Sequence, residues 1–198
     1  MRQILILVAT VLFLSASAAA QGPGPTGAGT GSSPRFPSNY GPTEWQIAIG
    51  YQYNRINMTA VPYNSNGLDT SVVRFFGKWF GLEGQLGLGY GTTGTATVPP
   101  NVTAKSVFVG GGPRLVHRGH SRIEPWVHGL VGIEYFRFGQ AVGLLGSNTA
   151  LGGVGGGGID VRLGRRTSVR TEADWLGTRF FLANQRHFQV VTALVFDF

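Results

Sequence analysis

Charged side chains recur at fixed distances around three short turn-like segments. Arg114 and Glu124 stand ten residues apart, Arg162 and Glu172 ten apart, and Arg74 and Glu83 nine apart. In a hairpin, residues symmetric about the turn face one another, so each pair is expected to meet across two strands. Asp160, Arg170, Asp174 and Lys78 fall in the same layer, and His128 shares a face with Glu124. Charges held in a narrow low-dielectric space must be paired. These eleven residues are therefore expected to form an ion-pair plug near the short-turn end. The plug has two readings: a satisfied polar core, or a gate whose pairs exchange to open a narrow pore.

Covalent or metal chemistry finds less support. A lipid deacylase of the barrel type places a His and a Ser two residues apart on one strand, but here His128 is followed by Leu130, and His120-Ser121 are adjacent within a turn. Four residues along a strand span about 13 Å, which puts Glu124 too far from His128 for a proton relay within that strand. Two His in a turn, His117 and His120, are weak grounds for a metal. Gly153-x-Gly155-x-x-Gly158 formally matches a dinucleotide fingerprint, but it opens a strand rather than a helix and so lacks the required helix end. No enzyme, cofactor or metal site is predicted.

The elements that must carry these charges have period two. Trp45, Ile47, Ile49, Tyr51 and Tyr53 alternate with Gln46, Ala48, Gly50, Gln52 and Asn54. Leu82, Leu86, Leu88 and Tyr90 alternate with Glu83, Gln85, Gly87 and Gly89, and Phe188 to Phe198 continue the pattern. Such alternation is the mark of strands with two unlike faces. Eight segments read this way: 45–54, 68–78, 80–91, 103–116, 122–136, 149–163, 168–177 and 187–198. They suit a bilayer crossing, which takes about 9 to 11 residues per strand. Tight connections at 77–81, 117–121 and 164–167 alternate with long ones at 55–67, 92–102, 137–148 and 178–186, the layout of an outer-membrane barrel. Aromatics near strand ends (Trp45, Tyr53, Trp79, Phe80, Tyr90, Tyr135, Trp175, Phe196, Phe198) fit interface girdles. Inward glycines such as Gly87, Gly89, Gly156 and Gly158 would leave room for long charged side chains opposite.

Composition agrees. Of 198 residues 32 are Gly, none is Cys, and 13% are charged, about half the globular norm. Thiolate zinc sites and disulfides are excluded. The net charge of +7 comes without any run of more than two basic residues, which argues against nucleic-acid binding. Met1-Arg2, the apolar run Ile4 to Leu14 and the small residues to Ala20 read as a secretory signal over 1–20. Residues 21–43, rich in Gly, Pro and Ser, read as a flexible leader. The barrel is expected over 44–198: all-β, eight antiparallel up-and-down transmembrane strands.

Three segments carry a family resemblance: FFGKWFGLEGQLGLGYG (75–91), GPRLVHRGHSRIEPWVHGLVG (112–132) and GGIDVRLGRRTSVRTEADWLGTRF (157–180). With the signal and the terminal Phe198, they make the chain similar to the OmpA-type and OmpX-type small outer-membrane β-barrels of the porin family. The resemblance implies export to the bacterial outer membrane, contact with lipid and lipopolysaccharide, and insertion by the barrel-assembly machinery. That machinery would read Phe196 and Phe198. Ala193 and Val191 stand where the family favours Gly and a polar residue. Relatives with a peptidoglycan-binding domain place it after the barrel, where this chain ends, so no wall tether is implied.

Three functions follow. The first is a structural or surface-interaction barrel with Arg55, Tyr63, Arg137 and Arg179 as candidate loop contacts for an unknown extracellular partner. The second is a narrow, low-conductance pore for ions or small solutes. The third is a soluble lipocalin-like binder, which would need apolar residues inside and charged ones outside.

Overall fold

The computed structural model describes residues 44–57, 63–95, 98–119, 122–139, 147–180 and 183–198. The expected signal and leader lie outside the described residues. Eight strands follow in chain order: β1 (Trp45–Asn57), β2 (Tyr63–Phe75), β3 (Phe80–Thr95), β4 (Val98–Val116), β5 (Ile123–Phe138), β6 (Ser147–Arg162), β7 (Thr167–Phe180) and β8 (Ala183–Asp197). Each pairs antiparallel with the next, and β8 pairs with β1 to close the barrel. At the seam Gln46 stands opposite Asp197, and the Phe198 amide donates to the Trp45 carbonyl at 2.9 Å. Closure leaves no sheet edge unpaired, which a spanning sheet requires.

The strands run further than the sequence pattern suggested. β1 continues to Asn57, β2 starts at Tyr63, and β3 and β4 are separated only by residues 96–97. The long connections therefore shrink to 58–62, 96–97, 139–146 and 181–182, and the expected contrast with the turns at 76–79, 117–122 and 163–166 largely disappears. The reason is visible in the added residues: polar side chains, Asn foremost, make up most of them, so the apolar alternation ends while the hydrogen-bonded ladder goes on.

The two faces are unambiguous. Leu82, Leu86, Leu88, Val127, Val131, Ile133, Leu151 and Leu194 face outward and are exposed. Glu83, Arg114, Glu124, His128, Asp160, Arg170, Glu172 and Asp174 face inward and are buried. A soluble ligand-binding barrel would show the reverse. On β5 the outer face carries no charge from Ile123 to Tyr135, about 40 Å along the strand and, at a tilt near 40°, about 30 Å of height. Exposed aromatics edge this wall: Trp45, Phe76, Trp79, Phe196 and Phe198 at the turn end, and Tyr51, Tyr90, Tyr135, Trp175 and Phe188 toward the loops.

Inside, the space is shared between charge and hydrocarbon. Val73, Phe75, Val116 and Trp126 pack together nearest the turns. Phe108, Leu130, Val154 and Leu176 form a second apolar cluster further along the lumen. Inward glycines clear the volume between. A Cβ at Gly156 would overlap the Asp174 carboxylate and lie 2.7 Å from the Ala173 carbonyl, whereas one at outward Gly155 would meet nothing within 4 Å among the described residues. Gly156→Val is expected to cost about 1–3 kcal/mol by overpacking and Gly155→Val almost nothing. Urea titration of the refolded barrels would check this, and equal midpoints would refute it.

Candidate functional site

The inward faces of all eight strands bring one connected network together in the turn-proximal half of the lumen. Arg170 on β7 is its hub. Its Nε donates to Asp160 Oδ1 at 2.8 Å and one Nη to Oδ2 at 2.9 Å, a bidentate pair from β7 to the facing residue of β6. The same Nη reaches Gln46 Oε1 at 2.7 Å, and the other Nη donates to Ser71 Oγ at 3.2 Å. Gln46 donates in turn to Asp197 at 3.0 Å, tying the barrel seam into the network. Planar bidentate pairing of this kind is stronger and more directional than a point-charge contact.

Arg114 on β4 lies beside it. Its guanidinium donates to Glu83 Oε1 at 3.1 Å and stands 3.5 Å from Asp160 Oδ2. Trp126 sits under both cations, its ring 3.6 Å from the Arg114 guanidinium carbon and 4.8 Å from that of Arg170. Its indole N–H donates to Asp160 Oδ1 at 3.0 Å. Stacking on the ring offsets part of the desolvation of two adjacent guanidiniums.

His128 bridges two acids from other strands. Nδ1 is 2.9 Å from Glu83 Oε2 and Nε2 is 3.1 Å from Asp174 Oδ1. A ring carrying both protons would donate on both sides, so the two carboxylates are placed to hold an imidazolium between them. His128, Glu172 and Asp174 also offer ligand atoms that all lie within 4.8 Å of one another. A cation ligated there would have to take a His128 nitrogen from a carboxylate. On the far side, Gln85 donates to Asp69 at 2.9 Å and to Glu172 at 3.4 Å. Nearest the rim, Arg162 meets Glu124 at 2.6 Å, with Arg118 3.9 Å away.

The structure places nine of the eleven expected residues inside the barrel, but pairs them differently. Arg114 faces His128 rather than Glu124 across its hairpin, and Arg162 faces Ser168 rather than Glu172, while Asp160 stands beside Arg170. Arg162 instead reaches Glu124 on the neighbouring strand. Arg74 and Lys78 are corrections. Arg74 is exposed and points outward, its guanidinium 5.4 Å from the rings of Trp45 and Phe76, and Lys78 is exposed in the turn. Residues opposite each other in the β2–β3 hairpin are separated by even numbers, as Arg74 and Leu82 are, so a separation of nine puts Arg74 and Glu83 on opposite faces. The expectation overlooked Gln46, Asp69, Ser71, Gln85, Trp126, Glu134 and Asp197, all inward and buried. Their parity with the inward acids was the available signal.

Charge is sorted by face. The chain has nine carboxylate residues. Eight of them (Asp69, Glu83, Glu124, Glu134, Asp160, Glu172, Asp174, Asp197) are buried inside, and the ninth, Glu44, is exposed beside the start of β1. Arg114, Arg118, Arg162 and Arg170 oppose them within the lumen. Of the candidate loop contacts, Arg55 and Arg137 are exposed at strand ends; the side chains of Tyr63 and Arg179 lie outside the described residues.

No protein-family model and no curated protein matches the sequence. Solved structures do match the fold. The attachment invasion locus protein Ail of Yersinia pestis is 15% identical, with 78% of this chain and 99% of that chain covered at a TM-score of 0.55. Neisserial surface protein A is 7% identical, covering 80% and 99%, with a TM-score of 0.61. The outer-membrane protein OprG from Pseudomonas aeruginosa is 10% identical, covering 79% and 96%, at 0.53. The chain therefore has the fold of the small eight-stranded outer-membrane β-barrels.

Proposed function

We propose that this chain is an integral protein of the bacterial outer membrane with a structural or surface-interaction role. The observation that carries the reading is the lumen: a cross-linked charge layer is followed by a buried apolar cluster of Phe108, Leu130, Val154 and Leu176. Eight strands enclose a space that side chains just fill, and here both polar and apolar side chains fill it. The uncharged outer wall between two aromatic girdles supports residence in a bilayer. Lipid and lipopolysaccharide are its partners along that wall. Phe196 and Phe198, exposed at the end of β8, are the residues offered to the barrel-assembly machinery.

A narrow pore is the second reading, supported by the excess of carboxylates over guanidiniums inside. Such a pore would pass cations in preference to anions. Single-channel recording on the refolded chain in a planar bilayer separates the two. Insertion is checked first by the mobility shift between unboiled and boiled samples. The expected result is an inserted, silent barrel; discrete cation-selective steps would replace the structural reading with the pore.

A further inference from the structure

The outer face of the loop-proximal rim holds two cations where a sheet ordinarily avoids them. Lys105 on β4 stands directly opposite Arg137 on β5, and both are exposed. Side chains in such facing pairs have Cβ atoms about 4.5–5.5 Å apart, and like charges there repel. A carboxylate beside the two cations would relieve the repulsion, since opposite charges at such positions attract. None of this chain reaches the pair: eight acids are buried in the lumen, and the ninth is at the turn end. Glu134, three residues from Arg137, points inward and is buried. Residues 58–62, 96–97, 140–146 and 181–182 contain no Asp or Glu.

The neighbours of the pair say where it sits. Along the hydrogen-bonding direction Tyr90 flanks Lys105 and Ser147 flanks Arg137. The next outward row toward the turns is Leu88, Val107 and Tyr135, and the one after it Leu86, Val109 and Ile133. The two cations thus lie immediately above the hydrocarbon-facing wall, at the level of its aromatic girdle. A phosphate at that level meets one ammonium and one guanidinium, while the acyl chains attached to it lie down along leucine and valine. A soluble anion would gain only the first of these contacts.

We infer that Lys105 and Arg137 form a binding site for the phosphorylated headgroup of an outer-leaflet glycolipid, the anion replacing the carboxylate that the chain withholds. This rests on the reading of the chain as an outer-membrane barrel. The site deepens that reading by giving the lipid contact a place and a chemistry. Arg supplies a fork matched to phosphate oxygens and Lys a point charge.

The test uses the chain refolded in phosphatidylcholine vesicles, with retention of diphosphorylated lipid A measured against its dephosphorylated form. Lys105→Gln/Arg137→Gln is compared with Lys78→Gln/Arg166→Gln, which removes the same charge from the exposed turn rim. The expected result is retention at least tenfold weaker for the first variant and within twofold of wild type for the second. Dephosphorylated lipid should be retained poorly by all three. Equal retention by wild type and the Lys105/Arg137 variant, or equal loss in both variants, would overturn the site. So would displacement of the lipid by inorganic phosphate at matching concentration. The mobility shift is recorded for every sample. A wild-type chain that fails to insert overturns the barrel reading and the site with it; an inserted chain that fails to discriminate overturns the site alone.

Discussion

Arg170→Met is expected to lower the unfolding free energy of the inserted barrel by about 3–5 kcal/mol, the usual consequence of removing one partner from a buried ion pair. The side chain is 1% exposed and holds Asp160 at two points, together with Gln46 and Ser71. Met keeps the volume but leaves the Asp160 carboxylate with the Trp126 indole and a more distant Arg114. Two strands also lose their link, since Gln46 bridges Arg170 to the seam residue Asp197. Arg114→Met should cost less, because Glu83 keeps His128 at 2.9 Å. The cause can be isolated with a second substitution. Asp160→Asn alone should destabilise, yet in the Arg170→Met background it should recover a substantial part of the loss by removing the stranded charge. Urea titrations of the four chains give the coupling directly. A loss below about 1 kcal/mol for Arg170→Met, or no recovery in the double variant, would mean that the hub does not hold the barrel together.

Arg170 and Asp160 also show how far the residues alone could be read. Period two assigned almost every side chain to the correct face, because inside and outside differ so sharply in chemistry: Leu82 and Glu83 cannot exchange sides without putting a charge in hydrocarbon. Which inward residues touch was less accessible. A spacing along one strand describes neighbours in the chain, whereas a lumen joins residues across the barrel. His128 was too far from Glu124 on its own strand, yet it meets Glu83 from β3 and Asp174 from β7. The register settles partners at the level of a single residue. A turn one residue longer would have set Arg74 inside; the turn at 76–79 sets it outside, against Trp45. Uncharged members of the network were hidden for a different reason. Gln46, Ser71 and Trp126 carry no charge to draw attention, although they supply the hydrogen bonds that make a buried pair tolerable. Strand ends were obscured because outside the bilayer the ladder needs no apolar wall, so alternation fades before pairing does.

The sorting of charge onto two faces links the site to the surface. A wall that must be free of charge in its middle can carry cations only at its rims, and a lumen that holds eight carboxylates leaves almost none for those rims. Arg55, Lys105, Arg137 and Arg186 are exposed toward the loops without an acidic counterpart on the same surface. The composition inside the barrel thereby fixes what the outside attracts: anions at the interface, supplied by something other than this chain.

Glu134 tests the opposite sign. It is 4% exposed, and its Oε2 has no hydrogen-bond partner among the described residues. Phe108 stands across from it on β4 and Ala150 on β6. Unlike the acids near Arg170, it occupies a mainly apolar stretch, where an unsatisfied polar group costs about 1–3 kcal/mol. Glu134→Leu preserves the approximate volume and removes that cost, so it is expected to stabilise the barrel by about 1–3 kcal/mol. Glu134→Gln should fall between the two, since the amide is easier to bury than a carboxylate but still unpaired. Asp160→Leu should lose stability, because it strands Arg170. Opposite signs for two leucines replacing two buried acids in one lumen would separate charges that hold the fold from one kept at its expense. If Glu134→Leu destabilises instead, its carboxylate has a partner that outweighs the burial. If it stabilises as expected, Glu134 is the inward acid with least structural reason to be there, and conductance or loop-side binding is the property to compare next in the same variant.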